Sequence, residues 1–494
     1  MINLIERATT FKNRAAVKSN GQTYTYSQLL EASKNVALTL LNGQKDLEGA
    51  RIAFLVPSGF EYVCIQWGIW RAGGIAVPLC EKHPLPSIEY VINDTRASAI
   101  IFSKAFESFL APLSNAFEIR FIPSEHFDVQ DGHLPDIDPV RSAMILYTSG
   151  TTGNPKGVVT THRNIQHQIT SLTTSWEWDK NDHILNVLPM HHLHGILNVT
   201  SCALWSGACC EFLPKFDAGA VFSIFCNKQV NVFMAVPTIY FKLIAHWKTL
   251  KASEQKNITE HLKKFRLMVS GSAALPVSVL KAWRDISGQT LLERYGMTEI
   301  GMAISNPYRG ERKPGHIGQA LQGVDVRLRN ENDEPVVEGV AGEIQVKGAN
   351  VFKEYWKRPK ETKDAFTADG WFKTGDIGLY KDGSYKILGR NSIDIIKSGG
   401  YKISALEIEE VLRTHPEIKD CGVVGIPDLE WGEVIGASLI LESGTIDMEQ
   451  LKVWLQDKLP AYKAPRRYIF QDDLPRNVMG KVTKKKLAEL FIKG

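Results

Sequence analysis

Short apolar segments alternate with helix-length ones along most of this chain, and no other feature limits its fold as strongly. Residues 52–56 (IAFLV) read as a buried strand, followed by a helix near 60–72 and a second strand at 75–79 (IAVPL). The runs 99–102, 143–147, 184–188, 232–236 and 267–269 continue the pattern. Strands that recur between helices predict an α/β architecture of mostly parallel, helix-covered sheets. From about Gly323 the texture changes: 324–329, 343–347 and 384–388 read as short strands between Gly/Asp turns such as Lys381-Asp382-Gly383, predicting a smaller β-rich subdomain. After Gly389-Arg390 an α+β pattern begins, with helices expected near 405–413, 448–458 and 484–491 and strands near 421–424, 434–441 and 468–470. The expected organisation is an N-terminal domain over 1–388, β-rich from about 323, and a small mobile α+β C-terminal domain over 389–494.

A length of 494 residues suits two to four domains rather than one. Hydrophobic content of 44% and charged content of 23% exclude disordered and collagen-like chains. Fifty-eight basic against 54 acidic residues give no reason to expect a nucleic-acid partner. The seven cysteines are odd in number and lack Cys-x-x-Cys or Cys/His spacing, so neither a disulfide framework nor a zinc site is expected. No apolar run approaches the ~18 residues of a membrane helix, so no membrane insertion is expected. The N-terminus carries Glu6, Arg7, Lys12 and Arg14 without an apolar core, which reads as a first helix rather than a secretory signal. A cytoplasmic location is expected, with a short organelle-targeting peptide left open. The sequence assigns no oligomeric state.

The segment Thr148-Ser149-Gly150-Thr151-Thr152-Gly153-Asn154-Pro155-Lys156-Gly157 follows a predicted strand. Its glycines expose backbone N–H groups, its Ser and Thr add hydroxyls, and together these wrap the oxygens of a polyphosphate. Lys156 adds a point charge for the outer phosphates. The spacing differs from the Walker loop.

This segment resembles the signature of the adenylate-forming superfamily, which includes acyl-CoA synthetases, nonribosomal-peptide adenylation domains and beetle luciferases. Further motifs stand in the order that resemblance requires. They are Tyr295-Gly296-Met297-Thr298-Glu299, Thr374-Gly375-Asp376, Gly389-Arg390, Lys397-Ser398-Gly399-Gly400-Tyr401-Lys402 and Pro475-Arg476-Asn477-Val478-Met479-Gly480-Lys481. The resemblance implies a carboxylic acid activated by ATP as acyl-AMP, with Mg²⁺, followed by transfer to the thiol of coenzyme A. It implies Glu299 as the metal ligand, Thr298 as an α-phosphate contact and Lys481 as the lysine that bridges carboxylate and α-phosphate during adenylation. It also implies nucleotide contacts from Tyr295, Gly296, Met297 and the backbone of Gly271, Ser272 and Ala273, with Asp376 on the ribose hydroxyls and Arg390 on ribose or phosphate oxygens. Lys397, Ser398, Gly399 and Gly400 form the loop implied to face the site during thiol transfer, with a hinge within 391–394. Lys484, Lys485 and Lys486 read as the solvated face of a terminal helix.

The acid is read from the remaining segments. Pro189-Met190-His191-His192-Leu193-His194-Gly195 lacks the Asp with which amino-acid adenylation domains hold an amine. His194, Ser272 and Arg294 offer instead a small basic and polar set suited to a second carboxylate. The stretch Leu292-Glu293-Arg294-Tyr295-Gly296-Met297-Thr298-Glu299-Ile300-Gly301-Met302-Ala303 resembles the malonyl-CoA synthetases, which implies malonate or methylmalonate as substrate. The alternatives are a synthetase for another short or medium-chain acid, or a loader of acyl carrier protein. Two further readings stay open: Arg294 as a structural ion pair with Glu293, and His194 as a packed histidine. The presence of Glu299 and Lys481 argues against a catalytically idle nucleotide-binding module.

Overall fold

The computed structural model describes residues 2–125, 127, 129, 131–148, 155–226, 229–442, 444–476 and 482–493. Two large sheets carry the N-terminal part. The seven-stranded sheet runs Glu354–Tyr355, Lys156–Thr161, Ser142–Thr148, Ile75–Pro78, Arg51–Leu55, Ala99–Phe102, Arg120–Pro123, parallel from Ser142–Thr148 to its far edge. The nine-stranded sheet runs Gln319–Ala320, Gly301–Ser305, Leu292–Met297, Leu267–Ser270, Val232–Ala235, His183–Asn186, Cys209–Phe212, Ala15–Ser19, Gln22–Thr25, parallel through its centre.

Side chains alternate across a strand, so an uninterrupted apolar strand needs cover on both faces. Ile52 and Phe54 enter one apolar cluster, while Ala53 and Leu55 enter another. Val232 and Met234 join the first cluster too, whereas Phe233 and Ala235 face a third. The first cluster is therefore shared between the sheets, and the helices Tyr26–Leu41, Phe60–Arg71 and His162–Ser175 fill it. Leu85–Thr95 and Glu107–Ala116 cover the outer face of the smaller sheet. Ala218–Cys226, Pro237–Thr249, Ala252–Leu262 and Val277–Ser287 cover that of the larger one.

The helix Phe60–Arg71 lies between the sheets, and every residue from Tyr62 to Trp70 is buried. That is why it is apolar around its whole circumference rather than along one stripe. Gly68 lets it approach Tyr26–Leu41 closely: a β-carbon there would stand 2.4 Å from Val36 Cγ1 and 3.1 Å from the Ser33 carbonyl oxygen.

An antiparallel sheet of Val324–Arg329, Gly342–Gly348, Phe372–Lys381 and Ser384–Arg390 follows. Beyond it, Tyr401–Ser404, Ile395–Ser398, Gly432–Leu441 and Ile418–Asp428 pair in that order, with Arg467–Phe470 parallel to Gly432–Leu441. These last strands enclose apolar clusters of their own with the helices Ala405–Leu412, Met448–Gln456 and Lys484–Lys493. Among the described residues no helix is long and apolar enough to cross a membrane.

The hairpin of Ala15–Ser19 and Gln22–Thr25 has no long apolar run to mark it, since both strands are short and the second is polar. Its signal is Asn20-Gly21, both at positive φ (51° and 76°), as a two-residue turn between right-twisted strands requires.

Gly68→Ala is expected to destabilise the chain by about 1–3 kcal/mol, because crowding against Val36 and the Ser33 carbonyl outweighs the gain in helix propensity. A lowered denaturation midpoint at unchanged m-value checks this.

Candidate active site

The parallel strands of the two large sheets deliver Thr148, residues 271–273 and residues 295–299 from their carboxyl ends, where open α/β sheets bind ligands, while Asp376 and Arg390 come from the antiparallel sheet. Thr148 closes Ser142–Thr148 and pairs with Lys156, the first residue of the antiparallel strand Lys156–Thr161. Ser149, Gly150, Thr151, Thr152 and Gly153 lie outside the described residues, and so does Lys481. The helix Leu85–Thr95 holds both flanks of the loop. Tyr147 donates its hydroxyl hydrogen to Asp94 Oδ2 at 2.5 Å, and Tyr90 donates to the Pro155 carbonyl at 2.9 Å.

Two buried carboxylates face the same region. Asp376 is 8% exposed; its Oδ2 accepts from the Tyr295 hydroxyl at 2.6 Å and its Oδ1 from Arg390 Nε at 3.0 Å. Tyr295 is thus a buried hydroxyl donor to Asp376 as well as an aromatic face. Glu299 is 6% exposed and accepts from Tyr355 Oη at 2.9 Å. Burial pushes its carboxyl above the usual range, and Tyr355 opposes that. Lys156 Nζ stands 5.1 Å from the Tyr355 ring centre, so lysine and carboxylate flank one aromatic ring. Thr298 occupies the turn between Leu292–Met297 and Gly301–Ser305. Gln168 Oε1 accepts the Met302 N–H, Asn350 donates to the Ile300 carbonyl at 2.5 Å, and Phe352 N–H donates to the Glu299 carbonyl at 2.7 Å. Those bonds anchor the turn from both sides.

The basic set lies one residue away along the same strand. Arg294 is 4% exposed, and Nη2 donates to Ser272 Oγ at 3.2 Å. Ser272 Oγ lies 3.2 Å from His194 Nδ1. Burial, with Arg294 adding to it, drives the His194 pKa well down, so the imidazole is neutral. In the tautomer in which Ser272 donates its hydrogen to Nδ1, the His194 proton stands on Nε2. Among the described residues neither His194 Nε2 nor Arg294 Nε has a hydrogen-bond partner. No carboxylate pairs with Arg294 there either, and burial alone brings its pKa down to about 9. The ion-pair reading with Glu293 fails on strand geometry. Neighbours on a strand point to opposite faces, and Glu293 turns away to accept from Gly315 N–H at 3.4 Å.

His194 opens a π-helical turn, His194–Ser201, in which Thr200 donates to the Gly195 carbonyl at 2.8 Å. Such turns are rare and cluster at functional sites. On it Asn198 is fully buried, and neither its amide oxygen nor its nitrogen has a partner among the described residues. Sequence inspection singled out neither Asn198 nor Tyr355, Asp94 and Tyr90, which carry no local motif. Gly271 is buried, Ala273 exposed, and Gly296 and Met297 half-buried.

The remaining candidates lie elsewhere. Ser398 is buried and Lys397, Gly399 and Gly400 are exposed. A β-carbon on Gly399 would meet the Trp431 ring at 2.8 Å, and Lys402 pairs with Glu331 at 2.6 Å. In 391–394, Asp394 accepts the Arg390 N–H at 3.0 Å. Lys484 departs from its expected solvated position. It is half-buried, its ammonium bonded to Glu409 and to the Val423 carbonyl at 2.6 Å, because helix Lys484–Lys493 packs that face on Ile418–Asp428.

Two nested strand–helix sheets with an acid-and-base cleft at their carboxyl ends define a nucleotide-handling α/β enzyme. The AMP-binding enzyme family matches residues 4–356, and the AMP-binding enzyme C-terminal domain matches 407–481; the chain belongs to this family. The mitochondrial malonate–CoA ligase of Xenopus laevis is 42% identical, over 99% of this chain and 92% of that protein. The malonate–CoA ligase of Arabidopsis thaliana is 39% identical, over 97% and 86%. A crystal structure of ATP-bound MatB from Rhodopseudomonas palustris superposes with a TM-score of 0.91 at 32% identity, covering 99% of each chain.

Glu293 generates a pH dependence. Burial lifts its carboxyl from 4.5 to about 8, with Gly315 N–H opposing and Glu410 adding to the rise. The folded chain keeps a proton that the unfolded chain releases, so this contribution to stability is full below about pH 4.5 and is lost as pH rises through about 8. Glu293→Gln is expected to raise the melting temperature at about pH 8.5 and leave it unchanged at about pH 4.5. Thermal melts across that range check it.

Proposed function

We propose that this chain is an ATP-dependent ligase that activates malonate as its acyl-adenylate and transfers it to coenzyme A, releasing pyrophosphate and AMP. The observation that carries the acid is Arg294: a buried guanidinium that, among the described residues, meets no carboxylate, and whose Nε, like the neighbouring His194 Nε2, has no hydrogen-bond partner. An isolated buried cation is costly, and an anion that fills the site relieves the cost. The second carboxylate of a short diacid supplies that charge and accepts from both donors. A monocarboxylic acid supplies neither, which is the physical basis of selection. The full-length likeness to malonate–CoA ligases supports the same acid.

In this reading Asp376, oriented by Tyr295 and Arg390, accepts the ribose hydroxyls of ATP through its two oxygens. Lys156 and the N–H groups beside it hold the outer phosphates, and Thr298 holds the α-phosphate. Glu299 suits a magnesium ion: it is a hard oxygen donor, buried, with a hydroxyl as its partner and no cation paired to it among the described residues. When bound, that ion neutralises phosphate charge. The substrate carboxylate attacks the α-phosphorus, the bond to pyrophosphate breaks, and Lys481 bridges the two anions as charge develops. Rotation of the C-terminal domain about 391–394 then presents Lys397, Ser398, Gly399 and Gly400 for thiol attack on the acyl carbon, with AMP leaving.

AMP release from ATP, Mg²⁺, CoA and a panel of acids is expected to be fastest with malonate; faster turnover of acetate or octanoate overturns the reading. Arg294→Met is expected to lower kcat/KM for malonate on the order of 10²-fold or more and yet raise the melting temperature, since it removes a buried unpaired charge. A structural arginine would instead lose stability. Lys481→Ala is expected to abolish pyrophosphate release while preformed malonyl-AMP still reacts with CoA.

A further inference from the structure

We infer that Gly271 is a specificity-determining residue, whose missing side chain is the space in which the Arg294 guanidinium lies. This rests on the dicarboxylate reading above. Strands Leu267–Ser270 and Leu292–Met297 are parallel neighbours with Val269 beside Leu292 and Ser270 beside Glu293. One step further, Gly271 stands beside Arg294, and laterally paired residues of parallel strands share a face. A side chain at 271 would occupy the space that the arginine uses. A β-carbon built there would lie 2.4 Å from Arg294 Cζ and 2.6 Å from both Nε and Nη1. Those distances allow no coexistence: the guanidinium occupies the place a side chain at 271 would take.

The next residue fixes the other edge of the fork. Ser272 has φ of +69°, a left-handed conformation rare for a residue with a side chain. The turn it makes brings Oγ to Arg294 Nη2 and His194 Nδ1, both at 3.2 Å. Gly271 and Ser272 thus do different work. The first leaves room for the guanidinium, and the second holds one of its nitrogens. Gly271 itself is not at positive φ, so alanine there meets no backbone strain, and the three atoms nearest such a β-carbon all belong to the guanidinium, the movable end of one side chain. The fold can therefore accept alanine while the guanidinium is pushed off its seat. Displacement of about an ångström is enough to break a two-point contact to a carboxylate.

The test is a double-mutant cycle of Gly271→Ala and Arg294→Ala, read as the ratio of kcat/KM for malonate to that for propionate, its monocarboxylate counterpart. Gly271→Ala is expected to lower that ratio on the order of 10²-fold. In the Arg294→Ala background it is expected to change the ratio by less than about twofold, because it acts through the arginine. An unchanged ratio in the single variant, or additive losses in the double, overturns the proposal. Should Gly271→Ala fail to fold, the double variant is expected to fold, and its failure too would assign the glycine a structural role instead. The wild-type chain separates the two claims. Preference for propionate over malonate there defeats the dicarboxylate reading, whereas a malonate preference undiminished by Gly271→Ala defeats only this inference.

Discussion

Ser270 lies beside Glu293, and that single parallel pairing governs how charge is distributed around the cleft. It sets Gly271 against Arg294 and sends Glu293 to the opposite face, so two adjacent ionisable residues never meet. The result is a buried acid on one side of a strand, held protonated up to about pH 8, and a buried base on the other. A one-residue slip would exchange them and set Glu293 where the guanidinium lies. The apolar layer between the two large sheets enforces the register, since Val269 and Leu292 both belong to it.

The cleft separates two electrostatic tasks along one strand. Toward Thr298 and Glu299 stand the carboxylates, each satisfied by a phenol hydroxyl: Tyr295 on Asp376 and Tyr355 on Glu299. A phenol donates without neutralising, so Glu299 keeps its full charge for a cation, whereas Asp376 is also ion-paired through its other oxygen with Arg390 Nε at 3.0 Å. Toward Ser270 stands the arginine, supported by neutral partners alone. Supporting a charge with neutral dipoles leaves it available to a ligand, whereas an internal ion pair would have consumed it.

The C-terminal unit meets the body through few polar contacts. Glu410 accepts the Val277 N–H at 3.0 Å, Lys402 pairs with Glu331, and Ser404 donates to the Leu388 carbonyl. Its own interior is far more strongly knit. Arg413 joins Glu409 at 3.4 Å and Asp420 at 3.1 Å, and Lys484 joins Glu409.

Much of this was legible in residue order. Apolar runs placed the central strands to within a residue or two, because strands covered on both faces must be apolar at every position. Motifs that resemble those of the adenylate-forming superfamily pointed to Thr148, Asp376, Glu299 and Arg390, of which the structure joins Asp376 to Arg390 and buries Glu299 against Tyr355. Other features left no local trace. Tyr355 meets Glu299, Tyr90 and Asp94 hold the flanks of the phosphate loop, and Lys484 is bonded to Glu409, all across long stretches of chain. A tyrosine or lysine looks the same in sequence whether it faces water or a carboxylate. Residue order identified Arg294 as a candidate anion receptor but left its pairing with Glu293 open. Only the packed sheet, by turning the two to opposite faces and seating the guanidinium where Gly271 has no side chain, left that charge without a carboxylate among the described residues.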